Sequence, residues 1–454
     1  MNKTGDQYTL NVPETGKKRI VVIGGGFGGL SFLKKLRSKA FQVVLLDRYN
    51  YHTFQPLLYQ VATAGLEPDS IAGPLRKIIR NRKDWHFRML RVNRIDIEKN
   101  KVFTTAGVLA YDYLIIATGS KINYFGNDSI AINAYPVKQV THALDLRHTL
   151  FQQFEGLEIL DRNSGVQENF NFVVVGAGPT GVEICGALAE LKKHVLPKDY
   201  PELDISRMHI FLVEGLSKVL PTMSDSSGKK AKKYLEQAGV KVILNCMTDS
   251  FDGKTVHLNN GEKIVTNTLI WAAGVKPNLP EGIPGDFMEK DSLRVNVFNQ
   301  LYNKDNTKII DNVFAIGDIA FMKTEKYENG LPGLAPVAIQ QGKHLATNMK
   351  RMLHGKAFNS FKYVNRGVMA TIGRNRAVAD LPCKINLSGT VGWMLWMMVH
   401  LLYLIEFRNK ILVFINWFWN YVTYDRGIRL IIRPSPKSKD RISREMFKAM
   451  RNDE

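Results

Sequence analysis

One pattern, a strand, a glycine turn, a helix and a second strand ending on an acid, occurs twice in this chain. Few folds are open to a chain that carries it twice. The first copy is Lys18 to Asp47, KRIVVIGGGFGGLSFLKKLRSKAFQVVLLD. Ile20 to Ile23 is β-branched and long enough for a buried parallel strand, and Gly24, Gly26 and Gly29 follow at G-x-G-x-x-G spacing. In such a turn the first glycine allows a tight bend. The second lets a pyrophosphate approach the backbone, and the third lets helix and strand pack closely. The helix start offers free N–H groups and partial positive charge to the phosphates. Asp47, closing the second strand, stands where a carboxylate can hold ribose hydroxyls.

The second copy opens at Asn171, NFVVVGAGPTGVEICGALAEL, with Gly176, Gly178 and Gly181 at the same spacing. Pro179 suits the first helical turn, where a missing N–H costs nothing. The strand HIFLVEG ends on Glu214, the counterpart of Asp47, and is delayed by the insertion KKHVLPKDYPELDISRM. A carboxylate there repels a 2′-phosphate, so the second site is expected to take NADH rather than NADPH. Two such units imply two nucleotides held face to face, although a duplicated domain with one working site is the alternative. LIWAAGVKP, with Gly274, ends as YDYLIIATGS of the first unit does, and NVFAIGDIA delivers Gly317 and Asp318 to a strand end. A helix is expected from about Pro336 to Leu353, hairpin strands over Trp85 to Gly107, and further strands over 361–387.

The chain has 454 residues and a net charge of +20, which suggests two or three domains and an anionic partner. Cys185, Cys246 and Cys383 are scattered without a C-x-x-C, so neither a disulfide framework nor a metal site is expected. The N-terminal residues are polar and show no signal-peptide pattern. Gly389 to Ile405 is the longest apolar run, interrupted only by His400. At 17 residues it is at the lower edge for a membrane span. ILVFINWFWNYVTY follows, then Arg426, Arg429, Arg433, Lys437, Lys439 and Arg441. Tryptophan and tyrosine flanked by cations suit the interface of an anionic bilayer. A single spanning helix and a soluble or dimer-forming hairpin are the competing readings. No nucleic-acid-binding module accompanies the basic residues.

The paired glycine motifs, Ala117-Thr118-Gly119 and Phe314 to Asp318 (FAIGD) resemble the two-dinucleotide-binding flavoproteins. More narrowly, HTFQPLLYQVATAG, GPTGVE, AIQQG and the aromatic C-terminal stretch look like type II NADH:quinone oxidoreductases. The resemblance implies an α/β fold of two Rossmann-like domains, the second inserted in the first, with a membrane-anchoring helical segment. It divides the chain into an FAD domain (18–150 and 277–387), an NADH domain (151–276) and an anchor (388–454). Thr118, Gly119, Gly317 and Asp318 would join Gly24, Gly26, Gly29 and Asp47 around non-covalent FAD. Gly176, Gly178, Gly181, Glu183, Glu214 and Gly274 would hold NADH as substrate. Glu183 would lie where nicotinamide and flavin stack.

Relatives carry A-Q-x-A-x-Q-x-G beside the flavin, and here Pro336 replaces the first glutamine. The resemblance therefore assigns the quinone contacts to Ala338, Gln340 and Gln341, with Gln340 and Glu183 as catalytic residues, and sets Arg374 near the flavin. Tyr51 and His52 read as packing residues in an aromatic loop. The implied reaction is oxidation of NADH through FAD with reduction of a membrane quinone and no proton pumping. The expected place is the cytoplasmic face of the membrane, peripheral or monotopic, and a homodimer is allowed. The alternatives are an NADH oxidoreductase with a soluble acceptor and a membrane-attached flavoprotein without turnover. A disulfide or sulfide acceptor would need a cysteine pair that the chain lacks.

Overall fold

The computed structural model describes residues 8–159, 171–425 and 427–432. Of the basic residues expected at the end of the anchor, Arg426, Arg433, Lys437, Lys439 and Arg441 lie outside the described residues. Backbone proximity divides the chain into two units: 1–52, 73–121 and 275–365 form one, and 53–72, 122–274 and 366–454 the other.

The first unit is built on a six-stranded sheet in the order Gln300–Tyr302, Ile309–Ala315, Tyr113–Ile116, Lys18–Ile23, Phe41–Asp47, Trp85–Met89. All pairings are parallel except the first. Side chains alternate across it, as a period of two requires. Val21, Ile23, Val44, Leu46, Leu114 and Ile116 enter one buried cluster, and Ile20, Val22, Val43, Leu45 and Ile115 enter another. Helices Phe27–Leu36 and Ala335–Leu353 cover the second face through Phe32, Leu33, Leu36, Leu345 and Met349. Their close approach rests on Gly342, and Gly28 is tight against the neighbouring strand end. A Cβ on Gly342 would collide with the Gly28 carbonyl, and one on Gly28 would lie 3.3 Å from Ile316. Trp85–Met89 is not part of a hairpin: its residues pair in parallel with Val43 to Asp47. The alternation there comes from a sheet-edge position, with Trp85 and Phe87 buried and Met89 exposed. The hairpins begin only at Val92.

The second unit repeats the plan. Its parallel sheet runs Tyr135–Pro136, Thr268–Trp271, Asn171–Val175, His209–Val213, Val240–Ile243. The strand leading to each small-residue turn, Tyr113–Ile116 or Thr268–Trp271, lies on the same side of the first strand of its glycine motif. The antiparallel strands Val368–Thr371, Ala377–Leu381 and Ile385–Ser388 belong to this unit. Asp380 ties them to helix Asp225–Gln237. It accepts from the Ser224 N–H (2.6 Å), the Ser224 hydroxyl (2.9 Å), the Ser227 hydroxyl (2.6 Å) and the Asn386 amide (3.1 Å).

Helices Gly389–Tyr403 and Phe407–Thr423 close the described chain. At 15 and 17 residues they are about 22 and 25 Å long, short of a hydrocarbon core about 30 Å thick. Among the described residues no helix is long and apolar enough to cross a membrane. The second of them inverts the usual amphipathic arrangement. Its protein-facing side carries amides: Asn409 donates to the carbonyls of Asp69 (3.0 Å) and Ala72 (3.2 Å), Asn416 to Glu67 (2.8 Å) and Asn420 to the Gly65 carbonyl (3.3 Å). Phe407, Ile411, Phe414, Phe418 and Val422 are exposed on the other side, as are Val391, Met394, Met398 and Leu402 of the preceding helix.

The helix crossing in the first unit gives a stability prediction. Gly342→Ala should cost about 1–3 kcal/mol through overpacking, read as a lowered denaturant midpoint of the cofactor-loaded protein.

Candidate active site

In the first unit, Gly24 adopts φ +104°, and a Cβ there would strike the Ala117 carbonyl. Gly29 faces the Gly24 carbonyl, and the space beside Gly26 is open. Gly26 is the N-cap of helix Phe27–Leu36 and no side chain caps it, so the first N–H groups remain available to an anion. Asp47 accepts the Gly25 N–H at 2.6 Å and the Tyr49 N–H at 2.8 Å, and burial raises its pKa against those hydrogen bonds. His52 secures the next peptide group, through the carbonyl of the same glycine. It is 2 % exposed, its Nδ1–H donates to the Gly25 carbonyl (2.8 Å), and its ring meets Phe27 edge-on at 5.1 Å. Burial pushes His52 down to about 4, which keeps the ring neutral, and the accepting carbonyl fixes the tautomer. His52 thus does more than pack, and no sequence pattern announced it.

At the far strand ends of this unit, Gly119 (φ +64°) and Gly317 (φ +77°) turn the chain. The Thr118 hydroxyl is buried without a protein partner, and Asp318 accepts from the Ser120 hydroxyl at 2.7 Å. Gln341, 1 % exposed, accepts the Gly317 N–H at 2.8 Å, and Ala338 packs 3.2 Å from where a Gly317 Cβ would be. Gln340 pairs reciprocally with the Val364 backbone, donating to its carbonyl (2.9 Å) and accepting its N–H (3.0 Å). Both glutamine amides are therefore engaged by backbone of the first unit.

The second unit repeats the turn chemistry. Gly176 has φ +100° and lies against Ala273, Gly181 faces the Gly176 carbonyl, and Gly178 caps helix Pro179–Glu190 with Pro179 in its first turn. Glu214 accepts the Ala177 N–H at 2.6 Å and the Leu216 N–H at 2.9 Å, as Asp47 does at Gly25 and Tyr49. The Gly274 carbonyl accepts the Asn123 N–H (3.1 Å), and Phe125, 67 % exposed, covers Gly274 and meets Trp271 edge-on at 6.4 Å. The sequence offered no signal for Phe125 beyond an aromatic before Gly126.

Glu183, on the second turn of helix Pro179–Glu190, is 6 % exposed. Burial pushes it up to about 8, against the opposing effect of the Thr371 amide and the Trp396 indole. Near neutral pH it is largely a protonated acid. Trp396 stacks on His400 at 4.1 Å, and His400, donating from Nδ1 to the Trp396 carbonyl, is pushed down to about 4 by burial. Beside Trp396 is a cavity of about 120 Å³ walled by Tyr59, Trp393, Met397, Trp417 and Tyr421. Arg374 enters it between the rings of Tyr421 (3.8 Å) and Tyr424 (4.0 Å), with Nε and Nη1 buried and unpaired. His400, read from sequence only as a break in an apolar run, is a buried neutral partner of this aromatic cluster. Cys185 is buried and Cys383 exposed, so the two belong to different environments.

Two nucleotide cradles of this design define a flavin- and pyridine-nucleotide-dependent oxidoreductase. Residues 18–342 match the family model for pyridine nucleotide-disulphide oxidoreductases, and residues 365–423 match that of the NDH2 C-terminal domain. The type II NADH:quinone oxidoreductase NdhA of Mycobacterium tuberculosis is 35% identical over 91% of this chain and 89% of its own length. A second from the same organism, Ndh, is 33% identical over 90% and 89%. Among solved structures, NDH2 of Plasmodium falciparum in complex with NADH superposes with a TM-score of 0.84 at 22% identity, covering 92% of this chain and all of that one. The sulfide:quinone oxidoreductase of Aquifex aeolicus shares the fold at 0.66 and 20% identity, over 87% and 92%. The chain belongs to the type II NADH:quinone oxidoreductase family.

The residues present fit FAD: an uncapped helix start, open space at Gly26, a carboxylate at the end of the second strand and an orphaned Thr118 hydroxyl meet the needs of a dinucleotide.

Two predictions follow from these environments. A carboxyl whose folded pKa lies above its unfolded value of 4.5 stabilises the fold most below that value, and the contribution is lost as pH rises to about 8. Glu183→Gln should therefore abolish a pH-dependent loss of a few kcal/mol between pH 5 and 9, measured by thermal unfolding across that range. Because His52 orients the Gly25 peptide, His52→Ala should weaken FAD retention by roughly tenfold, while His52→Asn, which keeps an N–H donor, should restore most of it. Flavin release on dilution measures both.

Proposed function

We propose that the two cradles divide the labour of the family reaction. The chain oxidises NADH through FAD and reduces a quinone, as a peripheral membrane enzyme that pumps no protons. The observation that carries the division is the matched pair of carboxylates, Asp47 and Glu214, each holding the backbone of its own glycine turn. FAD, when bound, supplies a two-electron carrier between the nicotinamide and the quinone. Gly24, Gly26 and Gly29 admit its pyrophosphate, Asp47 takes the adenosine ribose, and Thr118, Gly119, Gly317 and Asp318 line the remainder. Gln341 acts there by fixing the Gly317 peptide beside Asp318.

In the second unit Gly176, Gly178 and Gly181 receive the NADH pyrophosphate, Glu214 selects the unphosphorylated ribose and Gly274 borders the nicotinamide. Glu183 holds a proton near neutral pH, and reduction of a quinone to quinol consumes two. The cavity walled by Trp393, Trp396, Trp417 and Tyr421 supports entry of a flat apolar acceptor through the C-terminal helices. Ala338 and Gln340 remain proposed acceptor contacts, and the Gln340 amide would reach a quinone carbonyl only by leaving Val364. The exposed apolar sides of both C-terminal helices would lie on the cytoplasmic face of the membrane, where NADH is.

Anaerobic stopped-flow absorbance tests the reading. NADH should bleach the flavin and a short-chain quinone should restore it within the enzyme's turnover time. Bleaching without restoration removes the quinone, and an absence of flavin in protein supplied with FAD overturns the whole assignment. Glu214→Ala should lower the preference for NADH over NADPH by about 10- to 100-fold in kcat/KM, equivalent to roughly 1–3 kcal/mol of lost charge discrimination.

A further inference from the structure

Helix Asp225–Gln237, DSSGKKAKKYLEQ, takes no part in the sites described so far. Ala231 and Leu235 face the core, whereas Lys229, Lys230 and Lys233 are exposed. Its acids are already matched, Asp225 with Lys218 (2.7 Å) and Glu236 with Lys232 (3.7 Å). Among the described residues the three exposed lysines form no ion pair. A lysine run on a helix is ordinarily a solvated face. What distinguishes this one is where the helix is fastened.

The Lys230 Nζ donates to the Ser388 hydroxyl at 2.9 Å, and Ser388 immediately precedes helix Gly389–Tyr403. Asn386 donates to the hydroxyls of Ser224 (2.7 Å) and Ser226 (3.1 Å), and the Tyr234 hydroxyl lies 3.7 Å from where a Gly389 Cβ would be. Exposed Lys384 and Ile385 adjoin this junction, and the stripe Val391, Met394, Met398, Leu402 starts from it. At the stripe's other end Lys410 donates to the Leu402 carbonyl at 2.8 Å. An apolar stripe is thus bounded by ammonium groups at both ends. A bilayer offers that combination, anionic oxygens above an apolar layer. Nucleic acid and acidic proteins offer charge without the apolar layer.

We propose that helix Asp225–Gln237 is a second membrane contact, docking on anionic phospholipid headgroups through Lys229, Lys230 and Lys233. The nucleotide-binding second unit then rests directly on the bilayer instead of hanging from the C-terminal helices. This rests on the peripheral-membrane reading given above.

The test uses the FAD-loaded full chain in flotation assays with phosphatidylcholine vesicles, with and without phosphatidylglycerol. Two variants are compared. Lys229→Gln with Lys233→Gln keeps the Lys230–Ser388 contact, and adding Lys230→Gln removes it. Phosphatidylglycerol should strengthen wild-type binding, and the triple variant should lose on the order of tens of fold in partition, with the double variant in between. Binding to pure phosphatidylcholine and NADH-to-dye turnover in detergent should be unchanged. Variants that partition onto phosphatidylglycerol as wild type does would overturn the proposal and leave the membrane reading standing. Failure of wild type to float with either vesicle would remove both. Lysine-dependent retention on DNA with unaltered vesicle binding would reassign the helix to nucleic acid.

Discussion

Each nucleotide cradle depends on a carboxylate reaching back to the backbone of its own glycine turn. Asp47 holds the Gly25 N–H and Glu214 the Ala177 N–H, both at 2.6 Å. The contact joins the end of the second strand to the exit of the first, so strand, turn and helix start move as one piece. It also explains why the glycines matter together. Gly24 and Gly176 take positive φ while pressed against the neighbouring strand end, and Gly29 and Gly181 let the helix close on the turn. With that backbone locked, the free N–H groups of the helix start are preorganised and a pyrophosphate need not pay to order them. His52 adds a donor to the following peptide through the Gly25 carbonyl, and burial keeps that donor neutral.

Burial does different work around Glu183. A glutamate four residues inside a nucleotide helix would be an ordinary carboxylate if exposed. Enclosed as it is, it keeps a proton near neutral pH. The groups that oppose this come from afar in sequence, the Thr371 amide and the indole of Trp396, whose ring is itself stacked on a neutral His400, and burial outweighs them. Residues far along the chain thus meet a carboxyl on the second nucleotide helix, and its protonation is the balance between its burial and their hydrogen bonds.

The helix Phe407–Thr423 turns the usual division of polar outside and apolar inside around. Its amides face the protein and satisfy carbonyls of residues 65–72, which would otherwise need water. Its phenylalanines face outward. In water alone this arrangement exposes apolar surface at a cost of about 25 cal/mol per Å², and a bilayer removes that cost.

The sequence by itself determined the duplicated nucleotide fold, because glycine spacing, β-branched strands and a terminal acid each answer a local steric or electrostatic demand. Gly24, Gly26, Gly29 and Asp47, and their counterparts Gly176, Gly178, Gly181 and Glu214, were legible for that reason. So was the apolar character of the C-terminal stretch, from composition. Only the tertiary structure decided what depends on neighbours distant in the chain. The edge-strand role of Trp85–Met89 is set by pairing with Phe41–Asp47, and the engagement of Gln340 and Gln341 is set by Val364 and Gly317. The placement of the lysine helix beside Ser388, the neutral state of His52 and the protonated state of Glu183 belong to the same group. Periodicity and spacing record demands that a segment makes on itself. Burial, hydrogen-bond partnership and pKa are properties of what the rest of the chain brings to it.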